Sequence, residues 1–454
     1  MRDAFTDKNE QEMLTLAVAS YYGLWIPHLG EAGAAPSAGI IAAALATLEP
    51  LGGRWELAWG PVSLRSTFGL LDDVLAFVAR DVGDPARYAV ALRGTNPLSL
   101  TDWIFGDGWV LFDEAWGRDQ PERISRSSGL GLAVVKNLRA VPAGSAPEAG
   151  WLQSLGERLE EAEAGLEEGA RRVLRRVEAA LTGGAVAEED RLHVGLDDAW
   201  VRGLDGRMEA AARRLEKRAA NALGAVEDGL EAALEGDRGA FDAAAYAHTL
   251  AALELREEDP TEGALTLAEF LRGAGEKAGG PLNVWVTGHS KGAALATAVA
   301  MWLEEAREAW DPSARAALRC TTFAGPTVGN DAFAARVARV LGDRHRRVAN
   351  RHDLVTEGWS FAALDRATAL YRDRMPEGFF DLVRAMAEEV RPLKYTHVVD
   401  PGGSFEGADG GRGGGPLGQM IHQHLNAYIV NAGLSPEAFD LRKVMRATRR
   451  SPVR

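Results

Sequence analysis

The sequence predicts an α/β protein with a mostly parallel central sheet, interrupted by an inserted α-helical hairpin. Three observations predict it. Strand-like and helix-like apolar runs alternate on both sides of the chain's middle, the texture of strand–helix–strand units. A Gly-x-Ser-x-Gly run near residue 290 stands between a strand pattern and a helix pattern. Residues 143–258 break the texture: they are rich in Ala, Glu, Arg and Leu, with few aromatic side chains.

The elements follow in order. Over residues 1–142 short apolar runs alternate with Gly and Pro, and Leu75 to Ala79 and Tyr88 to Leu92 read as strands. Arg123 to Leu138 reads as a further strand and helix. In 143–258, Leu152, Leu155, Leu159, Ala162, Leu166, Val173, Val177 and Leu181 keep a three-four spacing, so they share one helical face. Gly183-Gly184 ends that run, and Val201, Leu204, Met208, Ala211, Leu215, Ala222, Val226 and Ala233 continue the rhythm in a second. A helical hairpin is the simplest reading; it implies a docked or dimerising coiled coil, whose partner the sequence leaves unnamed. Residues 259–454 return to alternating strand and helix patterns, then end in a glycine-rich loop (402–418), a short helix and a basic tail. One α/β domain (1–142 and 259–454) with one insertion accounts for all of this.

Bulk composition removes several classes. With 454 residues, 46% hydrophobic and 26% charged, the chain has a folded protein's composition and enough length for a sizeable core. A net charge of −14 leaves no electrostatic case for a nucleic-acid partner. The single cysteine, Cys320, excludes an intramolecular disulfide framework. Met1 to Asp7 is followed by no apolar segment of the secretory kind, and nothing approaches the roughly 18 apolar residues of a membrane span. Ala34 to Leu48 is the nearest, and Pro36 interrupts it. The expectation is a cytoplasmic protein, with export lacking a cleavable signal as the alternative.

The sharpest signal is Gly288-His289-Ser290-Lys291-Gly292. Alone the pattern is weak, since a chain with 51 glycines yields roughly 0.2 copies by chance. Context decides: an apolar strand-like run, Leu282 to Val286, precedes it and a helix-like run, Ala293 to Glu305, follows. That is the setting of a nucleophile elbow, in which Ser290 is lifted above the sheet edge on a strained turn. Gly288 and Gly292 lack the side chains that would collide where strand and helix cross. The Lys291 N–H, at the helix start, then faces a developing oxyanion.

A serine hydroxyl needs a base, and the base an acid to orient it. In an elbow-bearing sheet the chain order is serine, acid, histidine. Downstream of Ser290, Arg347 to Val355 places Asp353 just past a strand-like segment, where a loop acid projects. His397, His422 and His424 follow as candidate bases. His422 and His424 are also spaced as an H-x-H pair, but without nearby carboxylates or cysteines a metal site is not expected.

These segments, taken together, resemble the class 3 lipase family, the fungal-lipase-like α/β-hydrolases. Arg93-Gly94-Thr95 is similar to the family's R-G-[ST] strand end, and Thr101-Asp102-Trp103 to its D-W lid segment. The elbow matches G-H-S-x-G. Thr322-Phe323-Ala324-Gly325-Pro326-Thr327-Val328-Gly329-Asn330 resembles T-F-G-x-P-x-V-G-N, with Ala324 and Gly325 in altered order. Asn350 with Asp353-Leu354-Val355 resembles N-x-x-D-x-V; Tyr395-Thr396-His397 looks like Y-x-H, and His424-Leu425-Asn426-Ala427-Tyr428 like H-L-x-x-Y. The resemblance implies the α/β-hydrolase fold and a triad of Ser290, Asp353 and His424. It further implies an oxyanion hole from Thr95 and Lys291, a lid near Pro97 to Phe112, and no cofactor. The chain departs from the family at Lys291 (commonly Leu), at Ala293 (Gly) and at Thr356, where a Pro is expected.

The function implied is hydrolysis of carboxylic esters of lipids, acylglycerol or phospholipid, with peripheral contact to a lipid surface. Two alternatives stand beside it. One is a binding or scaffold protein on a hydrolase fold that works through the hairpin; the other is a phospholipase toxin exported without a signal.

Overall fold

The two runs read as strands in the first half are strands, and the second of them lies beside the strand that leads to Ser290. The computed structural model describes residues 7–23, 34–64, 74–94, 113–117, 120–140, 142, 263–358, 360, 388, 390–400, 402–408 and 419–439. Among them a seven-stranded sheet runs β1 (Trp55–Leu64), β2 (Val74–Asp81), β3 (Arg87–Leu92), β4 (Asn283–His289), β5 (Ala317–Phe323), β6 (His345–Asn350) and β7 (Ser404–Phe405), in that order. The first two neighbour pairs are antiparallel, and the four that follow are parallel. The α/β-hydrolase architecture expected from the sequence is therefore present, with a mostly parallel sheet. The hairpin expected over 143–258, the lid segment 97–112, Thr95 and the basic tail lie outside the described residues.

Two layers of helix cover the sheet, which explains why β3 reads as an unbroken apolar run: all six of its residues are buried. Helices α1 (Lys8–Ala19) and α2 (Ala34–Thr47) share one apolar cluster with Leu75, Phe77, Ala79, Ala89 and Ala91, alternate residues of β2 and β3. Helix α3 (Arg126–Asn137) is capped by Ser125, whose side chain accepts from the Ser128 N–H. Helix α4 (Leu267–Ala278) opens with a capping box, in which the Thr266 and Glu269 side chains satisfy each other's backbone N–H. Helix α5 (Lys291–Glu305) lies along β3, β4 and β5, and α6 (Asp331–Val340) carries the crossover from β5 to β6. Pro36 does not break α2; it falls in the first turn, where the missing N–H has no helical partner to lose. No helix among the described residues is long and apolar enough to cross a membrane.

A buried ionic cluster fixes α1 against the sheet. Glu12 and Asp81 are fully buried, and Arg87 reaches both, at 2.9 Å and 3.0 Å. The partly exposed Arg54 closes the cluster on Asp81 at 2.7 Å. Burial alone would raise the Asp81 carboxyl, but hydrogen bonds from Arg54, the Gly83 N–H and Arg87 outweigh it and hold the group below its ordinary value. The same helix receives the Thr287 hydroxyl from β4 on the Met13 carbonyl at 3.1 Å. It thereby brings the residues that follow it, Ser20–Gly23, to the end of β4.

Removing Arg87 leaves two buried carboxylates facing only Arg54. Arg87→Met is expected to cost about 3–5 kcal/mol in urea unfolding; a loss below about 1 kcal/mol would show that Arg54 alone neutralises the pair.

Candidate active site

Strand β4 ends at His289, helix α5 begins at Lys291, and Ser290 alone makes the turn between them, at φ 61° and ψ −134°. This left-handed backbone is costly for a residue with a side chain. It is held by the Ser290 N–H on the Phe323 carbonyl (3.0 Å) and by the Ala293 N–H on the Ser290 carbonyl (2.8 Å). Packing allows no alternative. A Cβ at Gly292 would lie 2.6 Å from the Arg93 carbonyl carbon and 2.7 Å from the Gly94 nitrogen, and one at Gly288 would strike the Gly292 backbone. At Gly94 a Cβ would lie 2.9 Å from the Ser290 Cβ. So the end of β3, the elbow and the first turn of α5 touch backbone to backbone, and Thr95 is the next residue in the chain. Lys291 is half-buried. Its N–H belongs to the first turn of α5.

Of the three candidate histidines, His424 alone contacts Asp353. Its Nδ1 stands 2.9 Å from Asp353 Oδ2. Asp353 follows β6 in a tight loop and is almost fully buried. Its Oδ1 accepts from the Val355 N–H at 3.0 Å, while Oδ2 also takes the Thr356 hydroxyl at 2.5 Å and lies 3.0 Å from the Tyr428 hydroxyl. His424 sits in a π-helical turn, His422–Asn426, leading into helix α7 (Ala427–Asn431). Wide turns of this kind commonly mark functional positions. Asn350, at the end of β6, anchors the turn: its side-chain amide donates to the Gln423 carbonyl at 2.9 Å. His397 lies instead against the Arg347 guanidinium, its Nε2 3.4 Å from Nη2. His422 is half-buried on the π-turn itself.

The imidazole reaches the elbow through a second histidine. The rings of His424 and His289 lie 4.7 Å apart, centroid to centroid. His289 Nε2 donates to the His424 carbonyl at 2.8 Å, and Nδ1 pairs with the Tyr21 hydroxyl at 3.0 Å. A carbonyl can only accept, so the proton sits on Nε2, and Tyr21 donates to Nδ1. Burial first, and the charge of His424 second, push His289 down to about 3, so it is neutral at ordinary pH. No hydrogen bond joins Ser290 Oγ to His424 Nε2. Such contacts commonly tighten only around a bound substrate.

Several partners gave no sequence signal of their own. Tyr21 lies 268 residues from His289, and Asn350, Thr356 and Tyr428 stood out only as motif positions.

A serine on a strained strand-to-helix turn, beside a carboxylate-bound imidazole at the rim of a parallel sheet, is the arrangement of an α/β-hydrolase. The particular kind follows from the chain itself: residues 263–360, which hold the elbow and Asp353, match the family described as lipase (class 3), and the protein is a lipase-type hydrolase. The fold agrees with that of M37 lipase (TM-score 0.60, 22% identity, 96% of this chain and 98% of that one). Similarity is also found to the Rhizomucor miehei lipase in complex with its propeptide (TM-score 0.36, 15% identity, 79% of this chain and 65% of that one). Lipase II from Rhizopus niveus is a third (TM-score 0.32, 14% identity, 80% of this chain and 78% of that one). No curated protein matches the chain in sequence.

The neutral His289 makes stability depend on pH. Unfolded, its ring titrates near 6.5; folded, near 3. Its contribution is complete above about pH 6.5 and is lost as pH falls toward 3, by roughly 1.4 kcal/mol per pH unit. Urea unfolding at pH 6.5, 5.5 and 4.5 should show His289→Gln losing that much of the slope; equal slopes would contradict a neutral buried ring.

Proposed function

We propose that the protein hydrolyses carboxylic esters of lipids, acylglycerols or phospholipids, through an acyl-enzyme on Ser290. The observation that carries this reading is the 2.9 Å contact between Asp353 and His424, with the same imidazole packed on the residue that precedes Ser290. Ser290 Oγ attacks the ester carbonyl as His424 Nε2 takes its proton. The tetrahedral intermediate then collapses, the carbon–oxygen bond to the alcohol breaks, and His424 returns the proton to the leaving alkoxide. Water repeats the sequence on the acyl-enzyme and releases the acid. Asp353 holds Nδ1–H in place and stabilises the imidazolium; its own other hydrogen bonds keep it aimed.

The developing oxyanion would lie between the N–H groups of Thr95 and Lys291. The backbone contact between Gly292 and Arg93-Gly94 supports this pairing, and each such donor is worth roughly 2.7–4 kcal/mol at the transition state. Pro97 to Phe112, rich in Leu, Trp and Phe, has the composition of an acyl-chain wall or lid.

With p-nitrophenyl esters of graded chain length, Ser290→Ala is expected to lower kcat by at least about 1000-fold, and Asp353→Asn by about 10⁴-fold, without unfolding. Hydrolysis persisting in Ser290→Ala would remove Ser290 from the chemistry. The same panel, extended to triacylglycerols and phospholipids, reads the substrate class.

A further inference from the structure

The chain departs from the resembled motif at Thr356, and the structure gives that departure a place. Thr356 is fully buried, and its hydroxyl stands 2.5 Å from Asp353 Oδ2, the oxygen that faces His424. Proline has no hydroxyl to put there. The same hydroxyl is 2.8 Å from the Tyr428 hydroxyl, which accepts the Asn350 N–H at 2.8 Å. Two hydroxyl protons thus serve three close oxygen pairs: Thr356 with Asp353, Tyr428 with Thr356, and Tyr428 with Asp353 at 3.0 Å. The two shortest pairs select a directed chain, from the Asn350 N–H to Tyr428, from Tyr428 to Thr356, and from Thr356 to Asp353. Each donor in such a chain polarises the next.

We propose that Thr356 is a positioning residue that lowers the proton affinity of the His424 base, by drawing charge out of the carboxylate oxygen that holds it. The proposal rests on the triad reading above. A carboxylate raises the pKa of a neighbouring imidazole because its charge favours imidazolium. A short hydrogen bond onto the same oxygen withdraws part of that charge, so the acid orients the base without making it too reluctant to release its proton to the leaving group. Of the other ionisable groups near the pair, Tyr428 bonds the Thr356 hydroxyl, and the Asn350 N–H holds its phenol as well. His289 faces the ring from β4, Tyr428 lies on α7, and Arg347 approaches from β6 with Glu357, Asp400 and His397 around it. His289 is neutral above about pH 5, and burial pushes the Tyr428 phenol up, so neither changes charge near neutrality.

The test compares the wild-type protein with Thr356→Val, which keeps the shape and loses the hydroxyl, and Thr356→Ser, which restores it. Two readouts are used: the acidic limb of kcat/KM for a p-nitrophenyl ester, and the imidazole titration of His424 followed by NMR, assigned with His424→Asn. Thr356→Val should raise both midpoints by about half a pH unit, while Thr356→Ser stays at the wild-type value. If Thr356→Val does not fold, Thr356→Cys, with its weaker donor, should give a smaller shift in the same direction. An unmoved midpoint in Thr356→Val or Thr356→Cys, or an equal shift in Thr356→Ser, overturns the proposal. If the wild-type protein hydrolyses no ester, the triad reading fails, and the NMR midpoints alone still decide whether Thr356 tunes the imidazole.

Discussion

The site depends on one backbone constraint: a serine held at positive φ between a strand and a helix that touch without side chains. Gly288, Gly292 and Gly94 make the contact close enough that any Cβ would collide with backbone or with Ser290. The parallel register of β3 on β4, with Leu92 opposite Gly288, sets the ends of the two strands level. Everything on the nucleophile side follows from this. The hydroxyl is presented at the sheet's rim, between the end of β4 and the first turn of α5. The strain at Ser290, of order 1–3 kcal/mol, persists because the sheet and α5 fix both of its neighbours.

His424, the proposed base, is held by a buried polar network. Asn350 ties the end of β6 to the π-turn, Asp353 grips the imidazole, and His289 holds the same residue by its carbonyl. The His424 carbonyl sets the His289 tautomer and Tyr21 donates to its Nδ1; Tyr21 is placed by α1, which the Glu12–Arg87–Asp81 cluster fixes to the sheet. A residue near the start of the chain therefore steadies one near its end. In a site this buried a misplaced proton is costly, because polar groups out of water cannot find substitutes. His289 and Tyr428 are both neutral near pH 7.

The elbow was legible in the sequence because its constraint is local: two glycines, one serine and a change of hydrophobic period within about a dozen residues. The strands at 75–79 and 88–92 were legible for a similar reason, since burial on both faces leaves an unbroken apolar run. Asp353 could be found from chain order and its place after a strand. The base could not: His397, His422 and His424 look alike as residues, and only the resemblance favoured His424. The physical discriminator is three-dimensional, namely which ring the β6 loop and the π-turn bring to Asp353. The Tyr21–His289 pair left no trace, and Asn350, Tyr428 and Thr356 showed only as motif positions and not as a connected chain, because no periodicity marks a buried hydrogen bond. Thr356 was visible as an odd residue in a motif, but its meaning depended on where its hydroxyl points.

In the proposed function Ser290, His424 and Asp353 act on one reacting atom. The most direct measurement is a crystal structure of the protein after reaction with a fluorophosphonate ester. Phosphorus is expected bonded to Ser290 Oγ, with His424 Nε2 within about 3 Å of that oxygen and Nδ1 still on Asp353. Phosphorus on another residue, or a bonded Ser290 with the His424 ring turned away, would contradict it.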